Sequence, residues 1–434
     1  MAQQLYFSRD TKVYIAPLAA NGTEQGVWEI PVLDGFSFSQ ATNSSEITLS
    51  EMESAGGVSR RGRRMFNDSL APAEWSFSTY VRPFISAGTG AGAADGSAHQ
   101  HAVEEALWAL MAGANAYDTV NYDFENTTVI NATEMVQGET YEIVSAGTTD
   151  FTATGVGGAD STVGTILTRG ASAATGTGTV KRKVNATDAA SSRFSFHASN
   201  QSTVGTANIY FVIGNANKKY YKISKAVVNE AGIDFDIDGI AMINWSGFGS
   251  EIVESSQPTA TVYEAINATG NFIRNRLTQV AVAPNLSATG QSGLETSYAL
   301  TLTGGNITIS NNITFITPEE LGSVNIPIGH VTGTRSVSGS MTCYLSLDTA
   351  TTNNSSDLWA DLEGITSVIT NDFGLTFSIG GATGTPRLVV AMPSCHIDIP
   401  THSIEDVISL ETSFNALPST IDATNEATLT YVGV

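Results

Sequence analysis

WEIPVLDGFSFSQ, residues 28–40, sets polar and apolar side chains in alternation, as do WSFSTYV from Trp75 and IDFDIDG from Ile233. One face in every two positions marks a strand with a single buried side. Runs of this kind, rich in Thr, Ser, Val, Ile and aromatics, fill most of the chain, and many of the 41 glycines fall between them as turn punctuation. The bulk is therefore expected to be antiparallel β. Two stretches carry a helical pattern instead: HAVEEALWALMAGA from His101, with Val103, Leu107, Leu110 and Met111 on one face, and SSDLWADLEGI from Ser355, where Ser355 or Ser356 could serve as the N-cap.

Those two helices organise the chain. Leu107-Trp108-Ala109 returns as Leu358-Trp359-Ala360, 251 positions on (359 − 108). Phe211-Val212-Ile213-Gly214-Asn215-Ala216 returns as Phe377-Ser378-Ile379-Gly380-Gly381-Ala382, 166 positions on (377 − 211). SRDTKVYIAP, ending at Pro17, resembles RNRLTQVAVAP, ending at Pro284, 267 positions on (284 − 17). The order is preserved, and the falling offset locates insertions in the first copy. One is the flexible segment SAGTGAGAADGSA from Ser86; a larger one lies between 117 and 208, where ETYEIVSA, GTILTRG and GTGTVKRKV alternate as an independent β module would. The chain thus reads as two related β domains with a decoration grafted into the first.

Length and composition fit that reading. At roughly 150 residues per domain, 434 residues suggest about three units. Charged residues are 14% and hydrophobic residues 41%, which excludes a disordered polyelectrolyte. A formal charge of −22 argues against affinity won by neutralising phosphates. With Cys343 and Cys395 alone there is no disulfide scaffold, MAQQLYFSRD has no signal-peptide core, and 18 consecutive apolar residues occur nowhere. Folding in a reducing cytoplasm is expected.

Sites of chemistry are sparse. Gly-Thr-Gly-Ala-Gly from Gly88 lacks the Gly-Lys-Ser/Thr ending of a phosphate loop. His99 and His101 could clamp a metal from a strand, but the commoner reading is a polar lead-in to a helix. Cys343, Cys395, His396 and His402 lack the spacing of a zinc site, so the cysteines read as small buried hydrophobes and no metal is expected. No Gly-x-Ser-x-Gly elbow or acid-base pair marks an enzyme, and no cofactor is implied. Asp234, Asp236 and Asp238 alternate in IDFDIDG; a solvated acidic face, the lining of a wet cavity and a calcium loop are open readings, in that order. Arg60, Arg61, Arg63 and Arg64 form a basic loop or hairpin in an acidic chain. A solvated loop and a nucleic-acid contact are possible, but an arm docking on an acidic copy of the same chain is favoured, since such copies otherwise repel.

The opening SRDTKVYIAP, the strand WEIPVLDGFSFSQ, the loop GGVSRRGRRMF and the run SLAPAEWSFSTYVRP resemble the tail tube proteins of long-tailed bacteriophages. The likeness covers residues 1–118 and 208–254 well, and about 272–434 through the repeated blocks; the insertion is similar to a small repeat module of phage structural proteins. It implies a mainly β fold with two tandem tail-tube-like sandwich or barrel domains, each with one short helix. The first occupies 1–118 and 208–254, interrupted by an insertion at 119–207 with its β module near 127–184; a linker spans 255–271 and the second domain 272–434. Trp108, Trp359, Phe211 and Phe377 would be the repeated core.

Tube proteins of this family stack as hexameric rings around a channel for DNA. A doubled chain would then form a trimer with pseudo-sixfold symmetry, carrying three times −22, or −66, per ring. Its partners would be itself, the tape measure, terminator and distal tail proteins, and duplex DNA passing unbound through an acidic bore, with no membrane involved. The protein would be assembled in the host cytoplasm and reside in the virion tail. The inserted module is expected on the outer surface, which favours a tail without a contractile sheath. A tail hub or terminator, or a virion-surface decoration or adhesion protein, is the alternative.

Overall fold

The computed structural model describes residues 6–48, 63–86, 99–118, 123–187, 190–196, 204–215, 217–260, 262–263, 272–287, 293–322, 324–346, 353–364, 372–381, 384–418 and 425–433. Along the first half run Thr11–Pro17 (β1), Val27–Ile30 (β2), Ser37–Ser39 (β3), Thr42–Thr48 (β4), Arg63–Leu70 (β5), Ala73–Tyr80 (β6), Pro83–Ser86 (β7), His99–Ala102 (β8) and the helix Glu105–Met111 (α1). Five strands follow in a sheet of their own: Ala116–Asp118 (β9), Asp123–Asn131 (β10), Thr140–Ser145 (β11), Ile166–Thr168 (β12) and Thr179–Lys183 (β13). Asn185–Thr187 (β14), Ser191–Ser195 (β15), Ala207–Ile213 (β16), Lys219–Asp236 (β17), Met242–Gly249 (β18), Glu251–Ser255 (β19) and Val262–Tyr263 (β20) complete this half. The second half holds Gln279–Pro284 (β21), Tyr298–Ala299 (β22), Leu302–Ser310 (β23), Thr314–Ile316 (β24), Gly329–Val331 (β25), Ser336–Tyr344 (β26), the helix Ser355–Gly364 (α2), Phe373–Ile379 (β27), Arg387–Ile397 (β28), Thr401–Ser403 (β29), Ser409–Ala416 (β30) and Thr428–Val432 (β31).

One pairing scheme occurs twice. In the first half β2, β1, β16, β17 and β19 are successive neighbours; in the second, β22, β21, β27, β28 and β31. Likewise β3, β6, β18 and the end of β17 match β23, β26, β30 and the end of β28. Even the irregularities agree. The β16–β17 ladder shifts register between Ala207 and Ile209, and the β27–β28 ladder between Phe373 and Leu375, each 166 positions on. A cross-strand pair shows how the copies diverged while keeping volume. Trp75 faces Gly247 in the first half, whereas Gly339 faces Phe414 in the second. A Cβ on Gly247 would lie 2.5 Å from the Trp75 ring, and one on Gly339 2.6 Å from Phe414, so each aromatic requires the bare backbone opposite it.

β17 belongs to two layers. Its first part lies in the β1–β16 array, and beyond a register shift at Val228 and Glu230 its last part pairs with β18 and with β23. That last pairing fuses the two halves into a ribbon of eight antiparallel strands that does not close on itself within one chain. Beneath it lies one continuous core containing Trp75, Trp108, Phe211, Trp245, Phe377 and Phe414. The halves are also tied at the far side, where β31 lies between β28 and β15.

Helix α1 is buried on every side, and Trp108 meets Trp245 edge-on at 4.6 Å. It begins later than the sequence pattern, because residues 99–102 extend to pair with β7. The cap of α2 is Asn354 rather than Ser355 or Ser356: its Oδ1 accepts from the Ser356 N–H at 3.0 Å, and Asp357 reaches back to the Asn354 N–H at 3.0 Å. This is a capping box, in which two otherwise orphaned donors are satisfied reciprocally. Ser355 is instead turned inward, donating to the Tyr344 carbonyl.

The inserted sheet has its own core of Tyr141, Ile143, Phe151, Leu167 and Val180. Its strands run from Ala116 to Lys183, starting just before 119 and ending well short of 207, because β14 and β15 rejoin the main sheet through β31. Its base is bonded to the main body through Arg182, which donates to the Ala112 carbonyl at the end of α1 and to the Ser195 carbonyl on β15. Within the sheet, Lys183 Nζ lies 2.6 Å from Asp118, 3.0 Å from Asp123, 2.9 Å from Glu125 and 3.0 Å from Glu142.

Candidate functional site

The eight-stranded ribbon has one covered face and one bare face, set by the period-two alternation of its strands. Trp75 and Phe77, Ile243 and Trp245, Ala231 and Ile233, Ile307 and Ile309 point into the core. The opposite positions align in rows across the ribbon. One row reads Tyr80, Met242, Asp234, Asn306, Ser340, Ser413; the next reads Ser78, Asn244, Gly232, Thr308, Ser338, Asn415. Short polar side chains bridge the strands: Ser78 donates to Asn244 at 2.6 Å, and Asn244 donates to Asp234 at 2.7 Å. The charges on this face are Glu74, Glu230, Asp234, Asp236 and Glu411, and no lysine or arginine occurs at its outward strand positions. Chemically, its described outward strand positions repel anions and offer no lysine or arginine to hold them.

Asp234 and Asp236 stand on this face, whereas Asp238 lies past the end of β17 and turns its N–H back to Asp236 Oδ1 at 2.9 Å. With Tyr80, Asn306, Ser340 and Thr342 they border a depression of about 750 Å³. The aspartates are spaced along a strand and a bend, unlike the converging ligands of a calcium loop. The sequence reading missed Glu74, Glu230 and Glu411; the signal was present in the Ser and Asn residues that alternate with core residues on β6, β26 and β30.

Two hairpins occupy matching places between ribbon strands. β4 with β5 lies between β3 and β6, and β24 with β25 lies between β23 and β26. Arg63 and Arg64 open β5, exposed, with Arg63 Nη1 3.1 Å from Glu46; Arg60 and Arg61 lie outside the described residues. The second hairpin was not anticipated. It exposes Ile316, Leu321, Val324, Ile326 and Ile328 beside Glu319 and Glu320. The hairpins touch each other: Asn325 accepts from the Leu70 N–H at 2.8 Å and donates its own to Asp68 at 3.1 Å.

Of the expected repeat core, Trp108, Phe211 and Phe377 are fully buried, while Trp359 is half-buried, donates to the Pro400 carbonyl at 3.2 Å and meets His402 edge-on. Trp108 Nε1 donates to Tyr431 Oη at 2.7 Å, and Tyr431 donates in turn to Glu104 at 2.6 Å. Burial pushes the Glu104 carboxyl up to about 7. His99 and His101 face different partners, Thr187 and Glu105. Burial pushes the Cys343 thiol up to about 11 and that of Cys395 up to about 12, which keeps both protonated. The carboxylates that do converge are Asp118, Glu125 and Glu142, and the Lys183 ammonium already stands among them.

Tail tube protein pb6 of Escherichia phage T5 is 27% identical over 438 residues, an alignment that takes in 98% of this chain and 76% of that protein. That likeness supports a tail tube protein of a long-tailed phage. No protein-family model matches it. The likeness runs nearly end to end, so it embraces both ribbon halves as well as the first copy that carries the sequence resemblance. A mainly β chain with repeated pairing and a bare polar sheet face fits a protein whose work is structural.

Proposed function

We propose that three copies of this chain close into a ring, that rings stack into the tube, and that the bare ribbon face lines the bore through which duplex DNA passes. The observation that carries this is the open ribbon of eight strands with a cation-free face. A sheet of strands about 4.8 Å apart and tilted about 40° closes with a backbone radius of about 1 Å per strand. Allowing about 5 Å of side chain on each wall, two copies leave a bore of about 22 Å and three leave about 38 Å. A B-form duplex is about 20 Å across, so three is the smallest number that admits it with its water. The duplicated pairing scheme makes this trimer a pseudo-hexamer, with domains at 1–118 plus 208–254 and at 272–434. The acidic wall keeps DNA moving, because a backbone with one charge per roughly 1.7 Å would bind a basic one.

The two hairpins are then the arms that reach a neighbouring ring. Arg63 and Arg64 on one, preceded in sequence by Arg60 and Arg61, and Glu319, Glu320 and bare aliphatics on the other are complementary in charge and rich in unburied apolar surface. The inserted module, rooted on the side of α1 away from the bare face, stands outside the tube. Such a protein belongs in the virion tail, assembled in the host cytoplasm, with the tape measure, terminator and distal proteins as further partners.

Negative-stain microscopy of the purified protein tests the reading. Axial class averages should show threefold rings with six inner lobes around an open bore. Arg63→Glu with Arg64→Glu should leave rings but suppress stacking, with a defect that changes with salt because exposed charges are screened. Rings of any other symmetry, or discrete closed oligomers without a bore, would overturn it.

A further inference from the structure

We propose that the junction inside this chain is the template for the junction between chains, and that it fixes which residues meet across the ring. The inference rests on the ring reading above and goes beyond it to a residue-by-residue register.

Inside the chain, the end of β17 pairs with β23: Gly232 faces Thr308, Ile233 faces Ile307, Asp234 faces Asn306 and Phe235 faces Gly305. The pairing scheme maps each side onto its copy. Comparing the β17–β18 ladder with the β28–β30 and β29–β30 ladders moves positions of β17 by 169, so Gly232, Ile233, Asp234 and Phe235 correspond to Thr401, His402, Ser403 and Ile404. Comparing β3–β6 with β23–β26 moves positions of β3 by 269, so Asn306 and Thr308 correspond to Ser37 and Ser39. The corresponding edges find no strand within the chain: β29 pairs only with β30, and β3 only with β6, among the described residues. An open strand edge of this kind is a template for another chain.

The occupant is a second copy, because the two edges are the two missing halves of a junction the chain already makes once. The register that follows is antiparallel, with Thr401 facing Ser39 of the next copy, His402 facing Phe38 and Ser403 facing Ser37. Side-chain packing supports it. In the internal junction Phe235 lies 5.4 Å from Phe377. The counterpart of Phe235 is Ile404, 78% exposed in the single chain, and the counterpart of Phe377 is Phe211, which stacks with Phe38 at 4.5 Å and Phe36 at 5.3 Å. Ile404 of one copy is thereby carried onto the Phe36–Phe38–Phe211 stack of the next. Because the edges are different surfaces, the contact is head-to-tail, and it ends only when a ring closes.

Paired cysteines test the register. Ser37→Cys with Ser403→Cys, and separately Ser39→Cys with Thr401→Cys, place thiols on facing positions, whose Cα spacing in an antiparallel sheet suits a disulfide. Oxidising assembled rings should convert most of the protein into a ladder that ends at three chains and collapses with reductant. The slipped pair Ser37→Cys with Thr401→Cys should give little. A ladder stronger in the slipped pair, or no ladder from either facing pair while rings are visible, would overturn the register and leave the ring intact. Failure of the unsubstituted protein to form rings would instead remove the ring reading, and this inference with it.

Discussion

Glu104 is a carboxyl held in the core of an otherwise acidic protein, and its surroundings fix the sign of a pH effect. It accepts from Tyr431, whose oxygen accepts from Trp108, and Arg82 is the nearest cation acting on it. Burial outweighs both and lifts the carboxyl from its ordinary value of 4.5 to about 7. The folded chain therefore holds this proton more tightly than the unfolded one. The stabilisation is complete below about 4.5 and is lost as pH climbs through about 7, an effect of about 3 kcal/mol at most. Asp123, also raised to about 7 by burial, adds in the same direction. Glu104→Gln keeps a neutral acceptor for Tyr431, so urea unfolding at pH 5 and pH 8 should differ less in this variant than in the wild type, by about 1–3 kcal/mol. Equal differences in the two proteins would mean that Glu104 is ionised in the fold. Nothing in HAVEEALWALMAGA distinguishes Glu104 from Glu105 as a sequence. What separates them is Tyr431, 327 positions away, which only the closing of the two halves brings near.

At the scale of elements, the strands were legible because a buried face imposes period two, and WSFSTYV and IDFDIDG show it without interruption. The repeat was legible where aromatics had been kept, in the core at Phe211 with Phe377 and on the helices at Trp108 with the half-buried Trp359. It was hidden where the copies had exchanged volumes, as Trp75 opposite Gly247 became Gly339 opposite Phe414, and in the second hairpin, which has no counterpart to the arginines of the first. The bare face was only partly legible, since Asp234 and Asp236 announce themselves by charge, whereas Ser78, Asn244 and Ser340 acquire meaning only through register. The inserted sheet has a core cluster of its own, as the alternation of ETYEIVSA and GTILTRG suggests, but its anchorage is not legible in GTGTVKRKV. Arg182 binds it to the end of α1 and to β15 through a buried guanidinium. Asn126 and Arg182 are register partners at that base, so residues 127–181 can be replaced by Asn-Gly, a two-residue hairpin turn. The shortened chain retains Lys183 with Asp118, Asp123 and Glu125, and it should fold and assemble. Its tubes should be thinner outside with an unchanged bore; a blocked or widened bore in the micrographs would place the module inside the wall.

At the scale of the whole molecule, the charge is sorted as well as large. The chain carries −22, yet its bases are kept from one surface: Lys181, Arg182 and Lys183 are spent on the module's base, Arg335 faces Glu426 in the core, and Arg63 and Arg64 sit on an arm. Folding thus leaves the outward strand positions of the ribbon face, among the described residues, with acids and no lysine or arginine, and threefold closure would repeat that face around a full circle. A passing duplex would meet no site at which releasing counterions favours binding. Inverting the wall isolates this effect from stability, because Glu230, Asp234 and Asp236 are exposed and their replacement touches no core contact. With all three changed to lysine, tubes should still form, since the edges and the arms are untouched. They should now retain duplex DNA at low salt, with nine lysines per ring facing inward, and release it steeply as salt rises. Wild-type tubes should retain little under any of these conditions. Equal retention by both would mean that the ribbon face is not the surface the genome meets, and the bore would have to be sought on another side of the chain.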